Sequence, residues 1–392
     1  MSQPPKYGPL VLGAALSEGG YNISFGVGTN QRVWHAMLLD TGSSATAFLG
    51  SAYSPGADTG RTTTRFSQRV NYVQAPSWQG SVVKTQISVF GWDTTTKQNT
   101  EVPLQHANVA IICEPGDYFD GASGILALGP MKEDEATQHE YPTYQADPQF
   151  GCFIAHNPVI SGQEKITPYF TQLVAENFEF DQFAFGAERS RPRADGQYGK
   201  GVLILGGGLG LTNKFISVDT VGLSGYEVNV QAYSIGRQFL NNGQTPALFD
   251  IGSNKVTLPI SQDAMIDAFN SHNTTCGKIV SRYFADEQIT DAEVAAADWP
   301  LLSYQLGNPQ GQSWNMSLTH KQYWQSSTKS AGQGYSNLVL AAEQGTISFG
   351  LPVFCAYFIV FDRSSASITV ASPYYNFAQP ALPDTLWDCQ PS

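Results

Sequence analysis

Apolar and polar residues alternate in short runs along most of this chain. Tyr21-Asn22-Ile23-Ser24-Phe25-Gly26-Val27-Gly28 puts every second side chain on one apolar face and is followed by a turn at Thr29-Asn30. Val33 to Leu39, Val82 to Phe90, Ala107 to Ile112 and Val202 to Leu205 read the same way. A period of two predicts strands rather than helices. Late in the chain, Val353 to Phe361 and Ala366 to Val370 read as the two arms of a hairpin across Asp362-Arg363. Helical patterns are few. Pro168 introduces Tyr169 to Glu176 as a first-turn proline, Ser261 caps a helix reaching Phe269, and Asp291 to Ala297 is a shorter third. Met131 to Lys165 is polar and aperiodic, which predicts a long surface loop around one or two short elements. The tail from Pro373 to Ser392 carries Trp387 and Cys389, which predicts that it packs back on the body.

An internal repeat organises these runs. Ala36-Met37-Leu38-Leu39-Asp40-Thr41-Gly42-Ser43-Ser44 recurs in form as Pro246-Ala247-Leu248-Phe249-Asp250-Ile251-Gly252-Ser253-Asn254. Each is an apolar strand running into Asp-x-Gly-Ser. Downstream of each lies an apolar-Gly strand, Gly124 to Gly129 and then Thr346 to Leu351. The same order occurring twice predicts two related β lobes meeting at a cleft. The boundaries expected are 1–199 for the first lobe, 200–373 for the second and 374–392 for the tail.

Composition narrows the function. Charged residues make up 14% of the 392, well below the usual share of about 25%, and the net charge is −12. No Lys/Arg cluster occurs, so nucleic acid is not an expected partner. No apolar run reaches the roughly 18 residues of a membrane span. The start lacks a basic n-region and a long apolar core, so it does not read as a signal peptide. Cys113, Cys152, Cys276, Cys355 and Cys389 have neither zinc-site nor CxxC spacing, and the six scattered histidines form no HExxH. No metal is expected. The run Gly206-Gly207-Gly208-Leu209-Gly210 fails dinucleotide-binding spacing and reads as a strand-end turn. Sequons at Asn22, Asn273 and Asn315 are candidate glycosylation sites; Asn22, inside an expected strand, is the weakest.

The Asp loops carry the chemistry. An Asp at the tip of an apolar strand, followed by a Gly turn, sets a carboxylate where a substrate backbone can approach. The following Ser, Ser43 or Ser253, can donate to that carboxylate. Two such loops face to face would hold Asp40 and Asp250 within hydrogen-bond reach. Like charges that close cannot both ionise, so the pair shares one proton over a broad acid range and can activate a water.

On these loops, the chain resembles the pepsin-like aspartic peptidase family over nearly its whole length. Tyr21 to Ser44 resembles the family's first strand pair and Asp loop. Thr167 to Leu173 resembles its first-lobe helix, Gly201 to Gly207 its inter-lobe strand, and Val353 to Arg363 its closing hairpin with Val360-Phe361-Asp362-Arg363. The resemblance implies an all-β, bilobal acid-protease fold with a flap hairpin. It also implies that Thr41 and the second-loop residue brace the lobes through their hydroxyls. Ile251 removes half of that brace, and restoring a Thr there would add about 0.5–1.5 kcal/mol if Thr41 is in reach. The family's Trp after the first loop is replaced by Ala47. Tyr72 matches the flap tyrosine, with Trp78 as an exposed contact near the tip, and Ile125 and Tyr72 lining the pocket before the scissile bond. The backbones of Gly42 and Gly252 would bind the substrate strand.

The expectation is therefore a secreted, vacuolar or lysosomal endopeptidase, monomeric, acting on extended polypeptides with bulky apolar residues at the cut. It would need no cofactor beyond a catalytic water and would bind statine-type inhibitors. The rival reading is a pepsin-fold protein that has lost catalysis and binds or inhibits a partner.

Overall fold

The computed structural model describes residues 6–17, 20–29, 33–53, 58–72, 76–112, 116, 118–130, 134–145, 153–154, 157–192, 199–207, 215–221, 225–241, 243–307, 313–327, 334–343 and 345–371. The expectations for Cys113, Cys152, Gly208 to Gly210 and the tail with Cys389 lie outside these residues.

The chain is mostly β, as the alternation predicts. Its strands form two large sheets that carry the same local arrangement. In the first, Val33–Asp40 pairs in parallel with Gly124–Ala127, which runs antiparallel to Ala47–Leu49, which runs parallel to Gln98–Ile112. In the second, Thr245–Phe249 pairs in parallel with Ile347–Phe349, which runs antiparallel to Val256–Leu258, which runs parallel to Leu340–Ala342. The repeat read in the sequence is thus a repeat of topology. Gly124–Ala127 is buried along its whole length, so it reads as a continuous apolar run rather than an alternating one.

Glycine fixes the crossing of each loop under its partner strand. A Cβ on Gly129 would sit 2.5 Å from the Ser43 carbonyl oxygen, and one on Gly350 would fall on the carbonyls of Ser253 and Lys255. Only a residue without Cβ lets these backbones approach. The first sheet also continues past the repeat. Lys200–Leu205 joins Leu10–Leu16 to Gln182–Ala187, and then Ile359–Asp362, Ser367–Ala371 and Phe215–Asp219 follow in order. Late residues therefore complete a sheet that begins near the N-terminus.

Two local expectations are corrected, and one helix was not anticipated. Leu351–Ala356 is helical, so the first arm of the closing hairpin begins at Ile359 rather than Val353. This helix is buried, and a short run that is apolar all round cannot be told from a strand by period. Met131 to Lys165 is not an irregular loop where described: Asp134–His139 pairs antiparallel with Val159–Ile166, extending the first sheet beyond Thr62–Val70. Val159–Ile166 is an edge strand exposed on most positions, so no apolar face announced it. A further helix, Thr274–Phe284, was hidden by its β-branched start. Asn273 ends Gln262–His272 and caps this second helix through its side chain.

The other helices follow their signals. Ser261 accepts from the Ala264 N–H, and Thr290, one residue before the expected Asp291, forms a capping box with Glu293. Pro168 is the N-cap of Tyr169–Asn177. Gly206 takes φ +72° where Lys200–Leu205 ends, as the strand-end reading requires. Among the described residues no helix is long and apolar enough to cross a membrane.

Candidate functional site

Each repeat delivers one carboxylate. Asp40 is the last residue of its strand, and its carbonyl accepts from the Leu128 N–H at 2.7 Å. Asp250 follows Thr245–Phe249, and its N–H donates to the Phe349 carbonyl at 3.0 Å. Both loops then turn in the same way. The Gly42 N–H donates to Asp40 Oδ1 at 2.7 Å, and the Gly252 N–H donates to Asp250 Oδ1 at 2.9 Å.

The two loops face each other. A Cβ on Gly252 would lie 2.8 Å from Asp40 Oδ1 and 3.2 Å from Asp250 Oδ1. One on Gly42 would lie 3.1 Å and 3.3 Å from the same two atoms. Both inner oxygens thus converge where only glycine fits, and the carboxyl groups are within hydrogen-bond reach of each other. Gly42 is exposed beside them, so the pair is approachable from one side.

Thr41 ties the loops together. Its buried hydroxyl donates to the Phe249 carbonyl at 2.9 Å and accepts from the Ile251 N–H at 2.9 Å, gripping both neighbours of Asp250. Ile251 has no hydroxyl with which to return this contact. Its side chain is fully buried in the main apolar core instead. Tyr226 adds a second tie, its hydroxyl donating to the Leu128 carbonyl at 2.8 Å. The sequence offered no signal for Tyr226, because the contact spans 98 positions.

The donor sets of the two carboxylates differ. Ser43 Oγ donates to Asp40 Oδ2 at 2.5 Å. Ser253, expected to do the same for Asp250, donates instead to the Lys255 carbonyl at 3.2 Å. That expectation is corrected: the Ser253 hydroxyl closes its own loop, satisfying a backbone carbonyl two residues on.

Burial is the largest influence on both carboxyls and pushes both pKa values up. For Asp40 the Ser43 hydroxyl and Gly42 N–H oppose that rise. For Asp250 the neighbouring Asp40 charge adds to it, and it is raised well above the usual carboxylate range. The pair therefore binds a proton more readily than two free carboxyls would, and the donor asymmetry favours holding it at Asp250.

A hydrogen-bond chain runs away from Asp40. Ser43 Oγ lies 3.2 Å from the Tyr72 hydroxyl, and Trp78 Nε1 donates to that hydroxyl at 3.3 Å. The one Ser43 proton goes to the carboxylate, so the tyrosine donates to Ser43. Burial and then the Asp40 charge push the Tyr72 pKa up to about 12, keeping it a donor at ordinary pH. Tyr72 is half-buried in the tip of the hairpin formed by Thr62–Val70 and Trp78–Asp93; residues 73–75 of that tip, including Val73, lie outside the described set.

Trp78 is not the exposed tip contact expected. It is 2% exposed and pairs with Val70 as the first residue of the return strand. Its ring packs in a small apolar cluster with Leu38, Ile112, Phe119 and Ile125, with Tyr72 against its edge. Ile125, 3% exposed, belongs to the same cluster that Tyr72 packs against.

The remaining candidates lie elsewhere. Asn22 is in a strand, its amide donating to Ser17 Oγ at 2.6 Å. Asn273 caps a helix and is half-exposed, and Asn315 is exposed on Ser313–Leu318, the last strand at its sheet edge. Cys276 and Cys355 are free thiols. Among the described residues no group of His, Cys, Asp and Glu is placed to hold a metal ion. The chain matches no protein-family model and no curated protein.

Proposed function

We propose that this chain is an aspartic endopeptidase with a pepsin-like bilobal fold. The observation that carries the reading is the convergence of Asp40 and Asp250, from two topologically repeated loops, at a point where only glycine backbone fits. Their shared proton is the feature this chemistry needs. Asp40, whose outer oxygen accepts from Ser43, acts as base on a water lying between the carboxyls. Asp250 holds the proton and polarises the peptide carbonyl. The dyad then protonates the leaving amine. Tyr72 and Ile125 contact the residue before the cut, and the Gly42 and Gly252 backbones hold the extended substrate. No cofactor enters these steps.

The test is digestion of a denatured protein across acid to neutral pH, with and without a statine-type inhibitor. Asp40→Asn and Asp250→Asn should each lower kcat/KM by roughly 10²–10⁴-fold while leaving the fold intact. Full activity in either variant would sink the assignment.

The second reading, a binding or inhibitor protein on the same fold, is favoured by one observation. Ile251 and the inward-turned Ser253 leave Asp250 without the hydroxyl support that Asp40 has. Wild-type protein that binds the statine inhibitor yet cleaves nothing at any pH would establish it over the peptidase reading.

A further inference from the structure

The two repeats differ in one respect away from the carboxyls. In the first sheet, Gln98–Ile112 pairs on one edge with Ala47–Leu49 and on its other edge with Trp78–Asp93, with Gly80 opposite Ile112 and Ser81 opposite Ile111. Its counterpart in the second sheet, Leu340–Ala342, pairs with Val256–Leu258 and is the last strand on that side among the described residues. The Val339 carbonyl and the Glu343 N–H both bond inward, to Val256 and Leu258. In a parallel pair the bonding residues alternate. Leu340 and Ala342 therefore turn their N–H and C=O groups outward from the sheet.

A cavity of about 480 Å³ runs along this edge. Leu340, Ala341 and Ala342 line it together with Tyr283, Phe284 and Ile289. That volume is in the range of real ligand sites. Its rim carries Asp286, Glu287 and Glu343 with Lys255 as the one lining cation. Glu287 also pairs with Arg282 at 2.7 Å, but Arg282 is shared with Glu293, so carboxylates still outnumber cations here. Asp286 and Glu287 are exposed.

We propose that this groove is a peptide-docking site, in which an extended segment carrying Lys or Arg adds a strand to Leu340–Ala342. The first repeat supplies the precedent within the same molecule, since there the equivalent edge is taken by the chain's own strand. Edge addition draws affinity from main-chain hydrogen bonds and specificity from side-chain contacts. The acidic rim selects a cationic segment and disfavours a second copy of this chain, whose net charge is −12. The proposal is independent of the peptidase reading, because nothing in the groove belongs to the Asp40–Asp250 pair.

The test uses the full chain carrying Asp40→Asn, so that no probe is consumed. Three labelled hexapeptides serve as probes: one alternating Val and Lys, one alternating Val and Glu, and the Val/Lys peptide with N-methylated backbone. Anisotropy should show the Val/Lys peptide binding at least about tenfold tighter than either of the others. Amide exchange should slow at Leu340 and Ala342 when it binds. Asp286→Asn, Glu287→Gln and Glu343→Gln together should weaken it about tenfold. Asn suits the φ of +60° at Asp286, so this variant should keep its fold, checked by circular dichroism. Tyr72→Ala should leave binding unchanged. No binding, equal binding of all three peptides, unchanged exchange at Leu340 and Ala342, or loss of binding in Tyr72→Ala would each overturn the proposal; the last would put the peptide at the Asp pair.

Discussion

Two carboxyl groups on adjacent loops share one buried place, and their protonation is written into stability as well as chemistry. Their folded pKa values are raised, by burial first. The acid form is thus favoured by folding. That contribution is fully present below the unfolded carboxyl pKa of about 4 and is lost as pH rises through the folded values. Asp250→Asn should therefore raise Tm at pH 7, and the gain should vanish near pH 3.5. Calorimetry showing the gain growing in acid would refute this account. Ile251 has a packing role that its place in the second Asp loop did not reveal. A Thr there would gain about 1 kcal/mol from a hydroxyl bond but lose about 1.5–2 kcal/mol of buried apolar surface. Ile251→Thr should therefore lower stability slightly, by about 0.5–1 kcal/mol, as denaturant unfolding would register. Trp78→Phe keeps the buried ring but removes the donor to Tyr72. If the dyad is catalytic, this variant should shift the pH profile of kcat more than it changes KM, whereas a purely structural role would leave the profile in place.

At the scale of elements, glycine and helix caps decide what the apolar pattern leaves open. Gly129→Ala would force the Ser43 loop off its strand, because the new Cβ meets the Ser43 carbonyl at 2.5 Å. Overpacking of this kind costs about 1–3 kcal/mol and would move Asp40 with it. Both a lower unfolding midpoint and weaker statine binding should follow. The sequons separate by the elements that hold them. Asn22 spends its amide on Ser17 within a paired strand, whereas Asn315 stands exposed on an edge strand. Protein made through a secretory route should carry glycan at Asn315 or Asn273 and none at Asn22, as peptide mass spectrometry would read out.

Across the whole molecule, a few buried polar groups connect distant segments. Asp58 accepts from the hydroxyls of Thr29, Tyr53 and Thr85, joining the turn after Tyr21–Val27, the loop after Ala47–Leu49 and the strand Trp78–Asp93. Burial opposes its ionisation, but these bonds outweigh it and hold its pKa below the usual value. Its stabilisation is present above the unfolded pKa and is lost as pH falls through the folded one, the reverse of the dyad. Asp58→Asn should cost about 1–3 kcal/mol at pH 7 and progressively less in acid. Arg363 makes a similar connection, donating to Thr171 at 2.6 Å and lying over the Phe170 ring beside Asp181. It joins the closing hairpin to the helix Tyr169–Asn177.

Local order along the chain was enough to determine the β character, the two Asp loops, their shared downstream strands and three of the helices. Those features rest on periods of two or 3.6, on caps and on glycine, all of which act within a few residues. Leu351–Ala356 escaped because a buried apolar run has no period to read, and Val159–Ile166 because an edge strand needs no apolar face. Tertiary structure alone decided the inward turn of Ser253, the burial of Trp78 and its bond to Tyr72, the Thr41 grip on Phe249 and Ile251, and the place of Leu340–Ala342 as the last strand on its side among the described residues. Each depends on which groups meet across tens or hundreds of positions. A hydroxyl or indole N–H takes whichever acceptor the packed chain brings within about 3 Å, and no local pattern records that choice.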